Sequence, residues 1–320
     1  MAFDSTPWFV GGGAQHSPET ARVLAYAATN GAEGVAGVDD LKVQAQAVPN
    51  GTVQVLTGAA LLLNRYPGGN GQTYALRNAT ATAVTVTPTG SGGGRTDLVV
   101  ARVLDPQYEG VAPPNPLTFQ YAFPTIIQGV SAGTKTAKEL NLGYPAVALA
   151  KITLPASTAT VTAGMITDLR RVANPRRERA MRTVYATAAL SMTNAYGYWP
   201  INAAQRPIVH VPSWATHLDI VVHISGAKFV KGSTADFVAG IRTMFGAGNY
   251  GEHSIIVQDA EDTNGRYHYS LIGSHKITAA MRDTDQSITL QAQRTSTTGN
   301  VTADPQTSVI IDWEFSEVAE

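Results

Sequence analysis

A chain of 320 residues, 44% hydrophobic with a formal charge of −1, is long enough for two ordinary cores and carries no global field toward nucleic acid or anionic lipid. The sequence has no cysteine, which excludes disulfides and thiolate-held metals. Charged residues make up only 15% and glycine occupies 30 positions, a balance that suits β-sandwiches and barrels better than helical bundles.

Residues 1–15 read as an arm in which Trp8 and Phe9 offer an apolar anchor for a neighbouring protein and Gly11, Gly12 and Gly13 form a hinge. The segment HSPETARVLAYAATNG predicts a helix. Ser17 caps it, Pro18 fits the first helical position, Glu19 suits the positive end, and Asn30-Gly31 stop it. Val23, Leu24 and Ala27 give that helix one apolar side. From Leu41 the period becomes two: Leu41, Val43 and Ala45 alternate with Lys42 and Gln44, Pro49-Asn50-Gly51 turns the chain, and Val53 and Val55 resume. Further strands are expected at residues 58–64, 72–77 and 83–87, separated by glycine-rich turns. Residues 97–104 and 146–152 are apolar on both faces and should run through the middle of this β domain, placed at residues 16–162. Between them lie a proline-rich excursion, 105–121, and a short helix near Thr136.

Residues 163–182 predict a helical neck. Met165, Ile166, Leu169 and Val172 share one side of a short helix that Pro175 should end near Asn174. Arg170, Arg171, Arg176, Arg177, Arg179 and Arg182 then crowd together, either as a solvated collar or as a charged neck where identical chains or a neighbouring protein meet. Beyond it, residues 183–320 alternate cleanly. Leu218, Ile220, Val222 and Ile224 form one inward row; Phe237, Ala239 and Ile241 a second; Ile288 and Leu290 a third; and Val309, Ile311, Trp313 and Phe315 a fourth. About eight or nine strands suit a jelly-roll-like sandwich. The expected fold is therefore mainly β, with a leading helix, an arginine-rich helical neck and a sandwich head.

Catalytic signatures are absent: no GxSxG elbow, Walker loop, GxGxxG after a strand or HExxH stands in the sequence. Paired carboxylates for glycan hydrolysis could come from Glu261-Asp262 or from Asp283 and Asp285, all in turn-like sequence that reads as solvated loop. His217, Asp219 and His223 share a strand face but read as polar outward positions, so no metal site, cofactor or catalytic residue is assigned. Aromatics in loops suit contact with a host saccharide, whose apolar face stacks on rings. Tyr250 and His253 in a glycine-rich loop, with Gly246–Gly251 as the tip that presents Tyr250, and Tyr267 and Tyr269, are the candidate contacts; Tyr196, Tyr198 and Trp199 cluster before Pro200.

Specific words in the first half resemble a known family. HSPETARVLAYAATNGAEGV, GAALLLNRYPGG with QTYALRN, RTDLVVARVLDPQYEG, YPAVALAKI and MITDLRRVANPR look like the N-terminal module of minor tail proteins of long-tailed phages that infect actinobacteria, over roughly Trp8 to Arg177. SITLQAQRTSTTGNVTADPQTSVIIDWEF is similar to the C-terminal heads of such proteins. The resemblance implies a non-enzymatic virion component at the tail tip or baseplate. It would be assembled in the host cytoplasm as a homotrimer, with the first domain attached to other tail proteins and the head facing a cell-surface glycan or other envelope component. It implies neither nucleic-acid binding nor membrane insertion. The N-terminus also lacks the basic start and apolar run of a signal peptide.

Overall fold

The alternation that begins at Leu41 closes into antiparallel ladders. The computed structural model describes residue 12 and residues 16–232, 235–259 and 263–319, which divide into two units: one up to Pro175 that also takes in Ala319, and one spanning Arg176–Val318. The candidate anchors Trp8 and Phe9 and the carboxylates Glu261 and Asp262 lie outside the described residues.

In the first unit, helix α1 (Pro18–Thr29) starts where Ser17 Oγ accepts from the Thr20 amide at 3.2 Å and stops at Asn30, whose φ of 52° is left-handed. Strands β1 (Gly34–Val35), β2 (Val43–Ala45), β3 (Thr52–Val55), β4 (Gly58–Leu63), β5 (Thr73–Asn78) and β6 (Thr82–Thr85) form two small sheets, ordered β1-β4-β5 and β2-β3-β6. The doubly apolar runs become β7 (Arg95–Val103) and β9 (Ala146–Leu154), central in a sheet completed by β8 (Ala122–Ile127) and β10 (Ile166–Asp168) in the order β10-β9-β7-β8. Pro124 sits in β8, an outer strand, where a missing amide costs no ladder bond. The helix near Thr136 is one 3₁₀ turn, Ala137–Leu140.

The helical neck is corrected. One 3₁₀ turn, Ala163–Met165, leads directly into β10, where Ile166 pairs with Ile152 of β9. Val172 then bridges Val35 in parallel, and Arg177–Tyr185 is strand β11. Helical spacing offered these residues a short isolated helix ended by proline; pairing with the edge of β9 satisfies their backbone groups and buries their apolar side against an existing core. Of the six arginines, five are exposed and one is not. Arg170 is buried, its guanidinium clasping both Asp168 oxygens and donating to the Val38 and Asp40 carbonyls at 2.9 and 2.7 Å. Arg171 contributes its carbonyl, which accepts from the Val35 amide at 2.8 Å. Arg176, Arg177 and Arg179 make ion pairs with Glu317, Glu314 and Asp312, and Arg182 is exposed on β11.

The second unit continues with β12 (Leu190–Ser191), β13 (Gly197–Tyr198), β14 (Ile208–His210), β15 (His217–Val230), β16 (Phe237–Phe245), β17 (Asn249–Gln258), β18 (Gly265–Lys276), β19 (Asp285–Arg294), β20 (Asn300–Ala303) and β21 (Ser308–Ser316). Two antiparallel sheets result. In one, β11, β21, β15 and β18 lie side by side, with β20 and β12 extending it along the far half of β15; in the other, β13 and β14 both pair with β19, followed by β16 and β17. Lettering the main strands B to I in chain order gives B-I-D-G over C-H-E-F, the jelly-roll arrangement of two interlocked Greek keys. The expected inward rows meet between the sheets: Leu218, Ile220, Val222, Phe245, Ile288, Val309, Ile311 and Phe315 are all buried, while Trp313 is half-buried.

One polar pair interrupts this core. His275 Nε2 lies 2.8 Å from Thr243 Oγ1. Space for the pair comes from Gly273, where a Cβ would stand 1.9 Å from Thr243 Oγ1. Burial holds the His275 imidazole below its ordinary pKa. Above about pH 6.5 the folded and unfolded chains are both neutral at this site; below it the unfolded chain takes up a proton that the folded one refuses. The second unit is therefore expected to lose stability as pH falls through 6.5 and to level off once the folded-state pKa is passed. Urea midpoints measured from pH 7.5 to 5 should show that slope, flattened in His275→Gln.

Candidate ligand-binding face

Strict alternation along β16 turns Phe237, Ala239, Ile241, Thr243 and Phe245 inward and leaves Val238, Gly240, Arg242 and Met244 on the outer face. Register then builds a row across the sheet. Tyr198 of β13 stands opposite Gln291 of β19, Gln291 opposite Arg242 of β16, and Arg242 opposite His253 of β17. Arg242 Nε donates to Gln291 Oε1 at 3.0 Å. Its guanidinium carbon lies 3.8 Å from the centroid of the Tyr196 ring and 3.9 Å from that of Tyr250, so the cation is held between two aromatic faces. Glycine at 240 makes room for this: a Cβ there would meet the Tyr196 hydroxyl at 2.7 Å and His253 Cδ2 at 3.8 Å. At the end of the row, Arg206 Nη1 reaches the Tyr198 hydroxyl at 3.4 Å. Guanidinium, phenols, imidazole and amide on an open sheet face can bind and orient; no nucleophile paired with a base is among them.

Two of the four expected contacts belong to this face. Both stand on strand β17 rather than in the expected glycine-rich loop, held there by pairing with β16; Tyr250 is 51% exposed and His253 is exposed. The other two are corrected. Tyr267 and Tyr269 turn into the sandwich, where Tyr267 packs edge-on to Phe229 at 5.9 Å and Tyr269 edge-on to Trp199 at 6.3 Å. Their parity along β18 is that of Leu271 and His275, both buried, and this was the signal available in the sequence. Arg242 and Gln291 were missed, because an isolated arginine or glutamine at an outward strand position looks like ordinary solvated surface until register shows its neighbours. Of the carboxylates, Asp283 is a left-handed turn residue with φ 55°, and exposed Asp285 stands 2.9 Å from His210 Nδ1. Among the described residues no three His, Asp or Glu side chains gather as metal ligands, and no helix is long and apolar enough to cross a membrane.

The first unit presents a second candidate surface. Arg22, on the inner side of α1, is buried and donates to Gln72 Oε1 at 2.6 Å, Asp105 Oδ2 at 3.3 Å and Gln107 Oε1 at 2.9 Å, with its guanidinium 5.0 Å from the Tyr74 ring. The Tyr74 hydroxyl donates to the same Asp105 oxygen at 2.7 Å, and burial, reinforced by that carboxylate, raises its pKa far above the ordinary phenol. Tyr66 stacks on Tyr108 at 5.1 Å and donates to Glu109 at 2.8 Å; burial, then Glu109, pushes its pKa up to about 12. Glu109 in turn is held below the usual carboxylate range by its bond to Arg102. The words HSPETAR, NRYPGG, QTYALRN and LDPQYEG, far apart in the chain, thus converge on one polar and aromatic network. With Arg22 turned inward, Val23, Leu24 and Tyr26 of α1 face outward, 49%, 44% and 37% exposed. This is an inverted helix: its charge is buried and part of its apolar side is open.

No family model matches the chain, and no curated protein matches it. Among solved structures it is similar to a mutant VP2 protein of infectious bursal disease virus in derived T=1 particles, with 10% identity over 95% of this chain and 80% of that one and a TM-score of 0.26. It is also similar to the VP2 subviral particle of the same virus, at 11% identity over 95% and 83% of the two chains and a TM-score of 0.25. Values this low carry no argument about function, which is read from the side chains instead.

Proposed function

We propose that this chain is a tail-tip or baseplate subunit of a bacterial virus, in which the first unit fastens to other tail proteins and the second is a homotrimeric head that touches the host cell surface. The observation that carries the reading is the outward row Tyr198, Gln291, Arg242 and His253 with its two flanking rings, a concentration of binding groups on a face where the fold itself needs none. Support for the fastening role comes from the resemblance of the first half to phage tail modules and from the open apolar side of α1. Support for self-association comes from Ile255 and Val257 on β17 and Ile272 on β18, exposed on strands that each end a sheet of the sandwich. A side-by-side trimer triples a weak single site.

Fluorescent full-length protein is expected to label susceptible host cells and to elute as a trimer by light scattering. Ile255→Glu with Ile272→Glu should shift it to monomer with its melting temperature little changed. A wild-type monomer would sink the trimer. If no susceptible host is labelled while the protein co-purifies with other tail proteins through its second unit, the head is an adaptor instead.

A further inference from the structure

We propose that the outward row of the second unit recognises saccharides bearing an acidic group, carboxylate or phosphate, with Arg242 as the partner of the acid. This rests on the host-surface reading above and names the class of ligand. Arg22, Arg95, Arg102, Arg176, Arg179 and Arg266 all make ion pairs with a carboxylate. Arg242 makes none among the described residues; it donates one hydrogen bond, through Nε to Gln291, and its two terminal amino groups have no protein acceptor there. Its planar cation is nevertheless ordered, fixed between Tyr196 and Tyr250 and tied at Nε.

With both flat faces covered, the guanidinium can be addressed only along its edge, and that edge presents parallel N–H groups at the spacing of two oxygens of one carboxylate or phosphate. The ordering entropy of a long side chain is met before a ligand arrives, which favours affinity. Tyr250 gives one ring face to Arg242 and remains 51% exposed, so its outer side is open to the apolar face of a pyranose. Tyr198 and His253, at the two ends of the row, can bond to ring hydroxyls. A peptide acid is the poorer fit: extended peptides add to sheet edges through their backbones, whereas this row runs across strands on a sheet face.

The test is binding of the full-length protein to polygalacturonate, poly(glycerol phosphate), neutral dextran and polyglutamate, beside host cells. One or both acidic saccharide polymers should bind, more weakly as salt rises, and which of them binds separates carboxylate from phosphate as the source of the acid. Arg242→Gln should raise Kd roughly 10- to 100-fold at an unchanged melting temperature, with Arg242→Lys between. Should Arg242→Gln melt early, Tyr250→Ala reads the same face and should also weaken binding. Equal binding of dextran, untouched by Arg242→Gln, overturns the acid specificity and leaves host-glycan binding standing. Preference for polyglutamate overturns the saccharide. Cells labelled while all four polymers are refused overturn the inference alone; refusal of both cells and polymers overturns the host-surface reading with it.

Discussion

Asp97→Ala is expected to destabilise the first unit by about 5 kcal/mol, the upper end of what breaking one partner out of a buried pair costs. Asp97 is completely buried in β7, opposite Ile152 of β9. Its carboxylate accepts from Arg95 Nε at 2.7 Å, from Arg95 Nη2 at 2.8 Å, and from the Gly129 amide at 3.0 Å. Alanine strands a guanidinium that is only 22% exposed, orphans the Gly129 amide and opens a void beside the central strand. A loss of that size lowers the melting transition of a unit this large by roughly 10–20 °C. The chain divides into two compact units, so calorimetry of the full chain should show the second unit's transition in place while the first moves. Asp97→Asn, which keeps an acceptor for Gly129, should fall between. An unmoved first transition in Asp97→Ala would mean that this carboxylate is not the tie the geometry describes.

Arg22→Met, close in volume and without charge, should cost about 3 kcal/mol, nearer the lower end of the same range because Asp105 keeps two other donors, the Tyr74 hydroxyl at 2.7 Å and the Gln107 amide at 2.9 Å. The effect differs in kind as well. Arg22 ties α1 to β5 through Gln72 and to the excursion after β7 through Asp105 and Gln107. Without it, both α1 and the 105–121 excursion should open locally, read as faster amide exchange in those segments with β7 and β9 still protected. If exchange rose uniformly across the unit, the network would be part of the global core rather than a local clasp.

Much of this architecture was legible from period alone. The hairpin of β2 and β3, the doubly apolar β7 and β9, and the inward rows of the sandwich each announce themselves through alternation or its absence. Ser17, Pro18 and Asn30 mark α1 to the residue. What period could not give was the competition between a local helix and a distant partner. Ile166 has helical neighbours in sequence, and only β9, folded beside it, makes the extended form the better one. Nor could it give which side of α1 is covered, since Val23 and Leu24 look like the buried side until Asp105 and Gln72 claim Arg22. The candidate face failed and succeeded by the same rule. Tyr250 reached it because it lies outward on β17, Tyr267 and Tyr269 did not because their parity is inward, and Arg242 needed three strands in register before its company was visible.

The pairing of β11 with β21 has a bearing on how such a protein can change. The peptide enters the second unit at Arg176 and leaves it at Val318, and Arg176 is joined to Glu317 by a backbone hydrogen bond and an ion pair: the Glu317 amide donates to the Arg176 carbonyl at 3.2 Å. Both ends of the sandwich therefore meet at a single doorway, like the prongs of a plug. A foreign jelly roll with adjoining termini should be graftable between residues 175 and 319 without rewiring what precedes it, and a chimera whose first unit still melts as before would demonstrate an exchangeable cartridge.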